Sequence, residues 1–191
     1  MQSTAFRLRS RALAVVVLVC VAAAISRAQS GVAEVTQLDP IASANGKPVV
    51  LLFLRTDCPI SQRYAPTVQK LAAKYAGQVT FWLVFPSKDD SVAIIARHTR
   101  EFGYKLGTLR DPNHVLVSRA TVTVTPEAAV FDALGALRYH GRIDDLYITF
   151  GRSRRAPTKH DLDEVLTAVI AGKPVTNAAS PAVGCYIADV K

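Results

Sequence analysis

The chain has 191 residues, half of them hydrophobic and a fifth charged, with a formal net charge of +8 from 23 Lys/Arg against 15 Asp/Glu. That length and apolar content fit one globular domain with a real core, and they exclude a disordered chain, a collagen and a coiled coil. The positive balance and three cysteines suggest a polyanion binder with an unpaired thiol, provided every residue is kept.

Arg7, Arg9 and Arg11 precede an apolar run over residues 12–25, and Ser26-Arg27-Ala28 then puts small residues where a signal peptidase reads. This layout predicts a secretory signal peptide over residues 1–28. The alternatives are a membrane anchor and a lipoprotein site at Cys20. The apolar run is shorter than the roughly 20 residues a spanning helix needs, and Val19 stands where a lipoprotein site needs a small residue. Cleavage after Ala28 removes four arginines and no acid, leaving 19 basic against 15 acidic residues, a net of +4. It also removes Cys20 and keeps Cys58 and Cys185. The expected address is periplasmic or secreted, with no stable membrane span after cleavage, in a compartment where disulfides persist. At +4, with no aromatic residues interleaved among the basic ones, nucleic acid is not an expected partner.

The remaining chain divides into an extension (29–47), a domain (48–172) and a tail (173–191). The extension has no strong period and is expected to be mobile. Residues 48–54 (PVVLLFL) form a continuous apolar run, as in a strand buried on both faces. Tyr64, Val68, Leu71, Ala72 and Tyr75 predict a helix over 59–75 that Gly77 ends. A second buried strand is expected at 79–85, a helix at 91–102, a short strand at 108–110 and a short helix at 113–120. Strands 128–131 and 136–140 flank a turn and predict an antiparallel hairpin. Residues 141–157 read as loop, with Arg152, Arg154 and Arg155 as a basic cluster. Thr158 is the expected cap of a last helix, with Asp161 completing a carboxylate version of the capping box. Parallel strands joined by helices, then a hairpin, predict an α/β fold: a central mixed β-sheet flanked by helices on both faces.

Cys58 follows a buried strand and directly precedes a helix. Free N–H groups there favour a thiolate, and Pro59 suits the first turn because its missing N–H has no partner to lose. Thr56, Asp57, Pro59 and Ser61 make up its neighbourhood. The competing reading is an inert buried cysteine.

The stretch FLRTDCPISQRYAP, with Thr125-Pro126-Glu127, the run from Tyr139 to Asp145, and Gly184-Cys185, resembles the thioredoxin-like redoxins. That broad family spans thioredoxins, exported thiol oxidoreductases and peroxiredoxins, and the likeness covers residues 49–171. The resemblance implies a thioredoxin-like fold for 48–172, with Cys58 as nucleophile and Pro126 after a cis peptide bond facing it. It gives Thr125 the role of offering its backbone to a bound thiol or peptide.

Departures from the family pattern narrow the chemistry. Ser61 stands where thioredoxins carry their second cysteine. Leu51 and Arg55 stand where peroxiredoxins carry Pro and Thr, and the peroxiredoxin arginine has only Arg119 or Arg55 as spatial substitutes. Cys185 is the candidate resolving thiol, brought to Cys58 by a mobile tail; a static staple and an unpaired thiol are its alternatives. In the 139–145 run, Arg142 is expected to pair with Asp144 and Asp145 and so order the loop; substrate docking is the other reading. His98, His114, His140 and His160 form no close pair, so a metal is not expected.

The function so implied is an exported thiol–disulfide oxidoreductase. It needs no dissociable cofactor, only an external thiol donor or a disulfide-containing substrate. A peroxiredoxin-like antioxidant hydroperoxide reductase and a non-catalytic partner- or copper-binding redoxin are the alternatives.

Overall fold

The computed structural model describes residues 31–34 and 37–188. The expected signal segment over residues 1–28, with Cys20, lies outside the described residues.

Eleven short or medium strands and five helices are described, in the order β1 (Ala33–Glu34), a 3₁₀ turn (Ala42–Ala44), β2 (Val49–Phe53), α1 (Pro59–Arg63), α2 (Ala65–Lys74) and β3 (Thr80–Phe85). There follow α3 (Val92–Glu101), β4 (Gly107–Arg110), α4 (Val115–Ala120), β5 (Val124–Thr125), β6 (Glu127–Phe131) and β7 (Leu137–Gly141). The chain ends through β8 (Tyr147–Thr149), β9 (Arg152–Ser153), α5 (Asp161–Ile170), β10 (Ala179–Ser180) and β11 (Cys185–Tyr186).

The main sheet has the order β1-β4-β3-β2-β6-β7-β10. Its β1, β4, β3 and β2 run parallel, β6 pairs antiparallel with both β2 and β7, and β10 is parallel to β7. Strand β2 is central and buried at every residue, which is why its sequence is an unbroken apolar run rather than an alternation. Val50 and Leu52 face one core with Tyr64, Val68, Ile95 and Leu162. Val49, Leu51 and Phe53 face the other with Leu116, Val117 and Ala120. Helices therefore cover both faces: α1, α2, α3 and α5 on the first, α4 on the second.

Several local expectations are corrected. The helix over 59–75 is broken at Tyr64, which ends α1 and begins α2. Pro66 has no N–H to return to Gln62 one turn earlier, so the ladder cannot run through. Thr158 does not cap α5, whose N-cap is His160 with no side-chain bond. The Thr158 hydroxyl instead donates to Asp145 Oδ2 at 2.6 Å. The 141–157 loop contains the β8–β9 hairpin. Nor are the extension and tail merely mobile: the first adds β1 to the sheet edge, and the second docks through β10 and β11.

Candidate active site

Cys58 occupies the N-cap of α1 in an extended conformation, with Pro59 in the first turn. It is 1% exposed. Its Sγ donates to the carbonyl of Thr125 at 3.3 Å, and the Thr125–Pro126 peptide bond is cis. Cys185, the strand partner of Thr125, also meets this sulfur: its Sγ donates to Cys58 Sγ at 2.8 Å. Both cysteines are free thiols.

The electrostatics separate the two sulfurs. Burial pushes the Cys58 thiol up, but the Cys185 S–H, the N–H and hydroxyl of Ser61 and the Ile60 N–H favour its anion, and the result lies below the ordinary thiol value. No capping bond from these backbone groups is closed while the sulfur keeps its proton. Cys185 moves the opposite way. Burial first, then its bond to Cys58 and that sulfur's negative charge, push it up to about 12, with Arg55 pulling weakly against them. One thiol is favoured as an anion and the other is kept protonated.

The turn before Cys58 is tied down from a distance. The Thr56 hydroxyl donates to Asp90 Oδ1, and the Thr56 N–H reaches Asp90 Oδ2 at 3.4 Å. Asp90 is buried, and burial raises its carboxyl above the usual range despite these bonds. Gln62 Nε2 donates to the Thr56 carbonyl at 2.8 Å. Ser61 is fully buried, and its Oγ also accepts from the Arg55 N–H at 3.4 Å. Asp57, with a side chain 66% exposed, pairs with Arg55 Nη2 at 2.8 Å. Beside this turn lies a cavity of about 400 Å³, walled by Thr56, Asp57 and Gln62 and by Asp89, Asp90 and Arg97 opposite. Cys58 does not line it.

The strand pair facing Cys58 is pinned by Glu127. Its Oε2 accepts from the N–H groups of Thr123 at 3.0 Å and Val124 at 3.3 Å, and Oε1 meets His140 Nδ1 at 3.3 Å. The 139–145 run has a structural task, though not the expected one. Arg142 forks onto Asp161 at 2.9 and 3.0 Å. Asp144 accepts from Tyr64 Oη at 2.6 Å, which ties the run to the break between α1 and α2. Asp145 accepts from the backbone of Thr158 and Lys159.

Of the two arginines named as peroxiredoxin-like substitutes, Arg55 lies close enough to the thiol pair to act on Cys185, while its Nη2 is paired with Asp57, and Arg119 lies elsewhere. Arg119 pairs with Asp39 at 3.0 Å and stacks over Phe131, on the sheet face away from Cys58. The Thr56 hydroxyl is spent on Asp90. Among the described residues, no group of three or more His, Cys, Asp or Glu side chains is placed to hold a metal ion. His98 is buried against Phe85 and Phe102.

Asp90 and Gln62 were not singled out from sequence. Asp90 is 34 residues from Thr56 and sits in an acidic run that otherwise reads as a helix entry.

The fold is thioredoxin-like. The chain is similar to a hypothetical protein of Sinorhizobium meliloti, with TM-score 0.65, 23% identity, and coverage of 75% of this chain and 80% of that one. It is similar to an uncharacterised conserved protein of Geobacillus kaustophilus, with TM-score 0.69, 21% identity, and coverage of 82% and 86%. A thioredoxin-like protein solved in its oxidised form aligns with TM-score 0.52 and 21% identity over 69% of this chain and 82% of its own. These are likenesses of fold. No protein-family model matches the sequence, and no curated protein does.

Proposed function

We propose that the protein is an exported thiol–disulfide oxidoreductase in which Cys58 is the nucleophile and Cys185 the resolving thiol. The observation that carries this reading is the 2.8 Å contact between two free thiols, one favoured as an anion and one kept protonated. The Cys58 thiolate attacks one sulfur of a substrate disulfide, forming a mixed disulfide and releasing the other half as a thiolate. Cys185 then loses its proton and attacks Cys58 Sγ, releasing the second half. Two electrons pass to the substrate, and an external dithiol restores the pair. Thr125 and the cis Pro126 hold the backbone against which the sulfur is positioned. Thr56, Asp57, Pro59 and Ser61 shape the turn.

Export rests on the basic, apolar and small-residue segments of residues 1–28; a secreted form beginning at Gln29 is the expected product. Among the described residues, no helix is long and apolar enough to cross a membrane.

The test is a redox titration of the reduced protein followed by mass mapping. Oxidation by a small disulfide is expected to give an intramolecular Cys58–Cys185 bond. Cys58→Ser abolishes the reaction, and Cys185→Ser stops it at a mixed disulfide on Cys58. Failure to form the intramolecular bond at any potential sinks the reading.

A further inference from the structure

A nucleophile must be reached, yet Cys58 is 1% exposed. Part of its cover is the chain's own tail. Strand β11 runs antiparallel to β5, with Cys185 opposite Thr125. The Thr125 hydroxyl donates to the Cys185 carbonyl at 3.3 Å, and the Ile187 N–H donates to the Thr123 carbonyl at 3.0 Å. Gly184 makes the approach possible, because a Cβ at that position would overlap the Thr125 carbonyl. The tail is held at two points. Upstream, Ser180 bonds Tyr139 Oη at 2.5 Å beside β7. Downstream, Ile187 is buried in the second core. Between them the pairing is only two residues long, and Tyr186 projects outward, 81% exposed. Strands this short, next to solvent, belong to the part of a fold that opens locally at low free energy.

We propose that residues 181–187 are a lifting strap: they occupy the backbone edge at 123–125 and cover Cys58, so an external disulfide reaches the nucleophile only when the strap detaches. The covering role stands on the geometry alone; its role in turnover rests on the oxidoreductase reading. In that cycle the open form lets Cys58 form the mixed disulfide. Return of the strap then re-pairs β11 with β5 and brings Cys185 to the back of the new bond. Its sulfur attacks Cys58 Sγ, gives up its proton to solvent, and expels the substrate thiolate. The strap thus excludes the substrate before reaction and displaces it afterwards.

The experiment isolates the strand from its sulfur. Full-length reduced protein carrying Cys185→Ser is compared with Cys185→Ser/Gly184→Ala and with Cys185→Ser/Ile187→Ala. Iodoacetamide labelling of Cys58 is followed at a pH above its titration, with hydrogen exchange at residues 185–187 read in parallel. Detachment is expected to accelerate labelling at least tenfold in the two strap variants while exchange protection at Ile187 falls. Labelling rates within twofold of the Cys185→Ser protein in both variants overturn the proposal. If labelling accelerates but the wild-type protein never forms the Cys58–Cys185 bond, the strap stands and the oxidoreductase reading falls.

Discussion

Ser61 makes the clearest case at the scale of single residues. It stands where a second cysteine would give a local dithiol, and instead turns its N–H and hydroxyl toward the thiolate of Cys58. A hydrogen bond to a charged group contributes about 1.5–3 kcal/mol, and about 1.4 kcal/mol is one pKa unit. Ser61→Ala is therefore expected to raise the Cys58 pKa by roughly one unit, read from the pH dependence of its alkylation. In the wild type, Cys58 should become reactive below the ordinary thiol pKa, whereas Cys185 should stay silent until about 12. A single titration shared by both thiols would contradict the assignment of roles. Cys58 stood out in the sequence because part of what favours its anion is local, the Ser61 and Ile60 groups at the helix start after it; the Cys185 thiol, which lowers it most, is 127 residues away and was not readable there. Nor was the anchoring of Thr56 by Asp90, because the two meet only when the β3–α3 connection folds back beside the turn.

Elements behave as sequence periodicity says where they are long, and depart from it where side chains compete. The strand β2 and helix α3 follow their patterns almost to the residue, with Ser91 capping α3 by accepting from the Ile94 N–H at 3.3 Å. The α5 start does not, because Asp145 takes the Thr158 hydroxyl and N–H, both at 2.6 Å, and the Lys159 N–H at 2.9 Å. A carboxylate two elements away outcompetes the helix for its expected cap. The two-residue strands β10 and β11 are too short to carry any period, so the docking of the tail could not be read from sequence even though Gly184-Cys185 stood out. The Asp145 knot has a pH consequence. The Thr158 hydroxyl, the backbone donors and Arg154 hold its carboxyl well below the usual range even against burial. A depressed carboxyl contributes stability that is complete above its unfolded value of about 3.9 and is lost as pH falls through the folded value. Asp145→Asn is expected to destabilise the protein by about 1–3 kcal/mol at pH 7. The gap to wild type in thermal melts should narrow as pH drops below 3.9, roughly the unfolded value; a constant gap would assign the loss to packing instead.

At the scale of the whole molecule, the Cys58–Cys185 bond would close a loop between residues 127 apart. Restricting the unfolded chain this way stabilises the folded state by up to about 5 kcal/mol. For a chain of this size that corresponds to roughly 10–20 °C in Tm. The thiolate-favouring surroundings of Cys58 stabilise the reduced form and offset part of it. Oxidised protein is therefore expected to melt above reduced protein at pH 7, by less than roughly 20 °C, with the difference gone in Cys185→Ser. An oxidised form that melts lower would mean that closing the bond strains the fold more than it restrains the unfolded chain.

The same separation also sets a clock. Synthesis at about 5–20 residues per second delivers Cys58 roughly 6–25 s before Cys185 leaves the ribosome. Through that interval Cys58 has neither the β11–β5 pairing nor the Cys185 sulfur beside it. A product truncated before Gly184 carries Cys58 without Cys185, and on the oxidoreductase reading it would stall at the mixed disulfide.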